Sequence, residues 1–579
     1  MGNCACPSAD SKRTYVISIY HSQERSIVVR RISIYLLLFL LTAMLCACQS
    51  TAVSADGRSV LFGIPVCNAD TAETLKAART PSEILPTLYT QEDGDGIRHA
   101  IPLAQNEKTP TYYLPLDTDN PDWDSIPLIS DAALYIVSDS ALPDKATALR
   151  TGHSYRILIC GEQFYSEARL ICTGLPMLKI DLYSKADGGI TASTKIERSP
   201  DSPMFFSYYD PCDPITNTVV SDDCAGRIHT RGGTSAKYDK HSFKFSLYRD
   251  ISCVDQKNLA LCGLRDDDDW VLNAMYQEET KVRDMLAYDL WEDIGADHYG
   301  DGTILGTRMR YVEVILGGKY WGLYGLCEPE DAKQFGLSQG KEGSVYKVSS
   351  WVVPTVNELR GAILHEQAQV AEVEVKYPEV TDASARDAWK PFLDYVEITY
   401  ESSDFYFQKQ IGNVMDEDNL ADMWIFLNVI VGRDNRWKNL YLSYRADNGK
   451  LVMAPWDCDI SFGLNWGESG DLHLYHEPYA FYEIQTMPIF DRYIELNVND
   501  FRTTLANRWK ELRETWLTTE EILSRAHLFR SLLEDSGALN RNRKKWPKSG
   551  DTTNLSYIEE FVNFRIPHLD AYIASLTEE

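Results

Sequence analysis

The sequence predicts an α+β fold: a small β-rich domain, then a second β-rich lobe, then a lobe that is mostly helical. Three observations predict it. Short apolar strand candidates separated by turn-forming residues fill the chain up to about residue 173. The texture changes at Leu175, and strands then continue to about Leu247. Helical spacing, with apolar residues three and four apart, dominates the last third.

Arg25, Arg30 and Arg31 precede an apolar run from Ile32 to Ala47. That run is shorter than the ~20 residues of a spanning helix, and basic residues stand before it, as in an export signal. Leu45-Cys46-Ala47-Cys48 resembles a bacterial lipobox. The resemblance implies a signal peptide over residues 1–47 and a lipidated Cys48 that anchors an exported protein in the cell envelope. The alternative is a signal helix with chance cysteines.

Residues 48–173 hold strand candidates at Val60–Ile64, Tyr112–Leu114, Ala133–Val137, Tyr155–Ile159 and Ala168–Ile171. They predict a small sandwich-like domain serving as spacer or docking module. Residues 174–579 form the second, larger domain. Its β-rich part begins at Leu178–Leu182 and returns at Tyr311–Leu316 and Tyr320–Tyr324. Helical stretches start at Trp270–Met275 and Met285–Trp291. A β-rich N-lobe before a helical C-lobe is the gross shape of a protein-kinase-like fold.

With 579 residues and 44% apolar content, the chain can bury sizeable cores. A net charge of −28 argues against nucleic acid or an anionic lipid surface as a favoured partner. Nine of the thirteen cysteines follow Cys48, an odd number that leaves at least one unpaired. Cys212/Cys224 and Cys253/Cys262 are close enough in sequence to bridge, and no cysteine or histidine cluster has zinc spacing. The 13 Trp and 33 Tyr are dispersed, which fits cores better than a polysaccharide-binding surface.

The chemistry concentrates between Asp418 and Gly463. Asp418 can cap a helix whose apolar face is Leu420, Met423, Trp424, Leu427 and Val431, and Gly432 can stop it. Phosphoryl transfer needs a carboxylate to orient the attacking hydroxyl and oxygen ligands for magnesium. Kinases take these from a loop Asp, an Asn five residues on, and an Asp beyond a hairpin. Here Asp434 and Asn439 are five apart, and Asp457 follows a hairpin with its turn at Asp447-Asn448-Gly449. A three-residue loop pairs Ala446 with Lys450 and sets Asn439 opposite Asp457. A two-residue loop turns the two to opposite faces.

Residues 430–463 resemble the central signature of the CotH kinase family: a helix, Gly-Asn-x-Asp, a Lys-Asn pair, a hairpin, then Pro-Trp-Asp-x-Asp and Phe-Gly. Four more blocks resemble family elements in the same order, at residues 231–247, 266–290, 312–331 and 343–348, and the likeness spans about 175–570. It implies an atypical protein kinase that moves the γ-phosphate of ATP, with Mg2+, to Ser or Thr of an exported protein or of itself. Carried over by position, Asp434 is the catalytic Asp, and Asp457 and Asn439 are the metal ligands. Asp459 is either a reserve ligand or a solvated carboxylate. Lys244, following the Gly-rich turn at Arg231-Gly232-Gly233, is the choice for the phosphate-contacting lysine, with an exposed strand lysine as the alternative. Glu278 would pair with it, Glu279 competing. Arg231, Arg283 and Lys347 stand in matched blocks as further ATP contacts, and Arg283 and Lys347 have structural ion pairing as the other reading. The run Asp266–Asp269 reads as a solvated loop.

The sequence departs from the family pattern at Arg433, Gly233, Gly317 and Asp284, each standing where the pattern has Asn. It also lacks the His-Arg-Asp, Asp-Phe-Gly and Gly-x-Gly-x-x-Gly motifs of ordinary kinases. The rival reading is a non-catalytic surface or adhesion protein that uses the same fold to bind.

Overall fold

The computed structural model describes residues 52–53, 59–91, 98–120, 126–184, 189–210, 212, 224–295, 298, 303–337, 342–381, 383–466, 472–474, 481–550 and 554–578. The signal run and Cys48 lie outside the described residues. No described helix is long and apolar enough to cross a membrane. Residues 61–579 form one compact unit of mixed α and β structure.

The first part of that unit is a mixed sheet. The long hairpin Ser154–Cys160/Phe164–Thr173 is flanked by Ala133–Val137 on one side and, in parallel, by Thr111–Pro115 on the other. Alternate residues such as Ile136, Ile157 and Leu170 turn into a core shared with Leu128 of a small three-stranded sheet and with Leu88 and Ile101, which adjoin its other two strands.

A closed barrel follows. Its strands are β1 (Met177–Leu182), β2 (Ser202–Tyr209), β3 (Ala225–Arg231), β4 (Ser242–Tyr248), β5 (Asp269–Asn273), β6 (Met309–Leu316) and β7 (Lys319–Cys327), in the order β1-β2-β3-β4-β5-β7-β6. Closure is by parallel pairing of β6 with β1, Met177 opposite Glu313. Strand alternation fills the interior: Phe243, Phe245 and Leu247 point inward beside Phe206, Leu272 and Val314. Their neighbours Lys244 and Ser246 therefore face outward. The barrel shares no strand with the preceding sheet, but Tyr113 stacks on Tyr320 of β7 at 5.5 Å, and Asn106 donates to the carbonyl of Gly317 at 2.7 Å.

Between β5 and β6 runs α1 (Arg283–Ile294), buried on nearly every face. A second antiparallel sheet comprises β8 (Gly343–Val348), β9 (Gln369–Val370), β10 (Val373–Tyr377), β11 (Leu440–Arg445) and β12 (Lys450–Pro455), ordered β9-β10-β8-β11-β12. It packs with α2 (Val356–Leu364), α3 (Ala385–Val396) and α4 (Glu417–Ile430) into the largest core. The chain ends in α5 (Phe501–Arg513), α6 (Thr519–Asp535), α7 (Ala538–Lys545) and α8 (Ser556–Glu578).

Several local expectations are corrected. The cap of α4 is Asp416, whose side chain accepts from the Asn419 amide at 2.9 Å; Asp418 already lies within the helix. The left-handed residue that ends α4 is Val431 (φ 51°), one before Gly432. The hairpin loop has four residues, because Arg445 pairs with Lys450. Arg445 holds Asp447 in a two-pronged ion pair (3.0 and 2.5 Å), which favours that longer turn. Asn439 consequently stands opposite Trp456, one residue away from the expected partner. The Asp266–Asp269 run is not a solvated loop: Asp267 and Asp268 are buried against Arg265 and Lys333. The nine described cysteines are unbridged, Cys212, Cys224, Cys253 and Cys262 among them.

Candidate active site

The loop between α4 and β11 is fixed from beneath. Asn435, fully buried, donates to the carbonyl of Trp456 at 2.7 Å and to that of Asn439 at 3.3 Å. Trp437 is driven into the core, where its ring lies 5.9 Å from Tyr395 and nearly parallel to it. With Asn435 and Trp437 pinned, Asp434, Lys438 and Asn439 gather on the loop's other side. Lys438 Nζ donates to Asp434 Oδ2 at 2.7 Å, and Asn439 Nδ2 reaches the same oxygen at 3.4 Å.

The loop after β12 is held by α1. The Asp457 amide donates to the Tyr288 hydroxyl at 2.9 Å, and Arg283 Nε donates to the Ser461 carbonyl at 3.0 Å. Val431, Trp437, Asn439 and Asp457 all adopt left-handed backbone, at φ 51°, 73°, 52° and 60°. Such conformations cost of order 1–3 kcal/mol each in non-glycine residues and gather where geometry is imposed by function. Asn439 and Asp457 flank the paired strands, which begin at Leu440 and end at Pro455, and the Asn439 carbonyl still accepts from the Trp456 amide at 2.9 Å.

Asp457 opens to solvent, yet the protein crowded around it raises its carboxyl above the ordinary range. Asp434 adds to that rise, while Arg231, Lys438 and Lys347 oppose it. Asp459 and Asp284 are pushed well up, first by burial and then by Asp457. The structure therefore gathers Asp434, Asn439, Asp457, Arg231 and Lys347, with Asp459 and Asp284 beside them. Arg231, at the end of β3, lies 4.9 Å over the Trp456 ring. Gly232 follows at φ 106°, where a β-carbon would strike the Ser235 hydroxyl at 2.1 Å; only glycine allows this turn. Lys347, on β8, is held below the usual lysine range by burial and then by Arg231. Neither Arg231 nor Lys347 makes an ion pair among the described residues.

Of the other three predicted residues, Lys244 stands elsewhere, whereas Glu278 and Arg283 are tied to each other beside Asp284 and the loop that carries Asp459. Lys244 lies on the outer wall of the barrel, paired with Asp269 at 3.0 Å. Glu278 meets Arg283 at 2.5 Å instead of a lysine, and accepts the amides of Thr280, Val282 and Arg283, so it braces the turn that leads into α1. Burial alone would raise Glu278, but Arg283 and Thr280 bring it below its ordinary value. Arg283 thus acts as a structural strut to Ser461. Sequence reasoning passed over Lys438 and Asp284. The signal for Lys438 was its place four residues after Asp434, within the matched Lys-Asn pair; that for Asp284 was its departure from the family's Asn.

Among the described residues no three His, Cys, Asp or Glu side chains already stand in metal-holding arrangement. The donor set nonetheless suits a hard cation: Asp457 and Asp459 crowd one region, and Asp284 Oδ1 is buried without a hydrogen-bond donor. A separate cavity of about 690 Å3, lined by Tyr377, Asp387 and Tyr444, lies at the far end of β8 and β11 and contains none of the predicted residues.

No curated protein matches the chain. The family model described as CotH kinase protein matches residues 228–569, which takes in the barrel from β3 onward, both loops and the helices behind them, and the chain belongs to the CotH kinase family.

Proposed function

We propose that the protein is an atypical protein kinase that transfers the γ-phosphoryl group of ATP to a Ser or Thr hydroxyl of an exported protein or of itself. The observation that carries this reading is the juxtaposition, beside Asp434 and Asp457, of two cations without ion-pair partners among the described residues, Arg231 and Lys347. In a chain of net charge −28, such cations suit an anionic ligand. In this reading the barrel and the second sheet with its helices act as the two lobes.

Asp434 accepts the hydrogen bond of the acceptor hydroxyl and takes its proton as the new O–P bond forms and the bond to the departing ADP oxygen breaks. Lys438 and Asn439 hold the Asp434 carboxylate in place for that transfer. Arg231 and Lys347 offset phosphate charge, most usefully the charge that accumulates on the departing oxygen. Asp457 and Asn439 would hold magnesium, with Asp459 next to them; the ion supplies charge neutralisation of the phosphates.

The test is magnesium-dependent ATP binding by calorimetry together with label transfer from γ-phosphate-labelled ATP. Asp434→Asn should lower transfer about 10²–10⁴-fold with nucleotide affinity nearly retained, and Asp457→Asn should weaken magnesium-ATP binding itself. No ATP binding by the intact protein would leave the non-catalytic binding platform as the better account.

We also propose that the protein is exported and anchored to the membrane through a lipid on Cys48, a reading supported by the Leu45–Cys48 lipobox. Metabolic labelling with a radioactive fatty acid should mark the protein, and Cys48→Ser should abolish the label. A labelled Cys48→Ser variant rejects the anchor.

A further inference from the structure

The connection from β8 to α2 begins two residues after Lys347 and exposes two large apolar side chains in succession. Trp351 is 50% exposed and Val352 60% exposed. Trp351 is not an isolated surface aromatic. The Lys438 ammonium lies 5.7 Å from the centre of its ring and 2.7 Å from Asp434 Oδ2. That is within the range of a cation–π contact, so one lysine bridges the indole and the proton-accepting carboxylate. Lys347 and Arg231 lie near Asp457, whereas Trp351 lies against Lys438. The strand and its continuation thus present a cation beside the metal-ligand candidates and an open apolar plate beside Asp434.

We propose that Trp351 is the docking residue for the acceptor polypeptide. The segment to be modified lays an apolar or aromatic side chain on the indole while its Ser or Thr hydroxyl approaches Asp434. The ring centre and the Asp434 oxygen can be no farther apart than their two distances to Lys438 laid end to end. That is the length of two to three residues of extended chain at about 3.3 Å each. The substrate class follows: hydroxyl-bearing peptide segments with an apolar residue two or three positions from the acceptor, in preference to small free hydroxyl compounds. Val352 extends the plate. This assignment rests on the phosphotransfer reading and deepens it by naming the acceptor.

The experiment uses the purified full-length protein with magnesium-ATP and two synthetic decapeptides. Each carries a single Ser; one has Leu three residues away, the other Gly. The wild-type protein should prefer the Leu peptide about tenfold in kcat/KM, through KM. Trp351→Ala should erase the preference by raising the KM for the Leu peptide, with the KM for ATP little affected; Trp351→Phe should keep most of it. A melting curve of Trp351→Ala checks folding, which an exposed side chain should scarcely influence. If Trp351→Ala still discriminates as the wild type does, the docking role is overturned while phosphotransfer stands. It is overturned equally if kcat falls alike for both peptides, since Trp351 then serves only to hold Lys438. If no label passes to either peptide or to the protein itself, the phosphotransfer reading fails and the docking role falls with it.

Discussion

Two lysines on neighbouring parts of the fold separate by strand parity alone. Lys244 sits between Phe243 and Phe245, and because those rings fill the barrel, its own side chain points out to Asp269. Lys347 sits on β8 opposite Tyr441 and feels the charge of both Arg231 and Asp457. Lys347→Met should therefore raise the KM for ATP about tenfold or more, whereas Lys244→Met should change it less than about twofold; steady-state kinetics on the two variants decides. Equal effects would put Lys244 back in the site. The choice of Lys244 in sequence rested on its following a Gly-rich turn, a local cue. What decides a lysine's role is which way its strand faces, and that requires the partners across the sheet. By contrast, the contact of Asn439 with Asp434 was legible from spacing, because the loop that makes it is local in the chain.

At the scale of elements, the hairpin shows where spacing stops being sufficient. A loop of three residues was the reading that made the two metal-ligand candidates face each other, yet the turn has four. The extra residue shifts the pairing by one, so Asn439 stands opposite Trp456, and both Asn439 and Asp457 take left-handed backbone that no count of residues reveals. Helix α4 was legible in its apolar face and misread by two residues at its cap, since Asp416 and Asp418 are equivalent as sequence signals. The helix Pro488–Glu495 carries a further like-charge spacing with a measurable consequence. Asp491, in its first turn, is raised to about 6, by burial first and then by Glu495 four residues on. A carboxyl with a raised folded value binds its proton more tightly in the native than in the unfolded protein. Stability from this group is therefore fully present below its unfolded pKa and is lost as pH rises to about 6. Asp491→Asn should then stabilise the protein at pH 7 by about 1 kcal/mol, the full shift being discounted for solvent around a half-buried group, and by nothing measurable at pH 3. Urea titrations at the two pH values check it, and an equal gain at both would assign the effect to something other than charge.

At the scale of the whole molecule, the question is what makes residues 61–579 one compact unit when the first sheet and the barrel share no strand. The change of texture at Leu175 was legible in sequence; the joint was not, because its central cation comes from α7, more than 350 residues downstream. Arg541 is buried and donates to both oxygens of Glu313 on β6, at 2.8 and 2.7 Å. It also donates to Thr173 Oγ1 at 2.8 Å and to the Cys172 carbonyl at 3.2 Å, at the end of the first sheet. The Tyr320 and Thr173 hydroxyls each donate to Glu313 at 2.5 Å, so every lone pair direction of that carboxylate is used. Removing one partner of such a pair leaves a buried charge unpaired, which costs about 3–5 kcal/mol, whereas replacing both by apolar side chains is often near neutral. Arg541→Met should accordingly destabilise the protein by about 3–5 kcal/mol, and Arg541→Met combined with Glu313→Leu by much less, because the second change removes the stranded carboxylate. Because the pair ties α7, β6 and the first sheet together, Arg541→Met should also split a single unfolding transition into two, with the first sheet melting earlier. Denaturant unfolding followed by far-UV circular dichroism and by hydrogen exchange at Ile157 and Leu170 reads both effects. A loss below about 1 kcal/mol, with one transition kept, would mean that the Tyr113–Tyr320 stack and the Asn106 bond hold the two parts together without the ion pair.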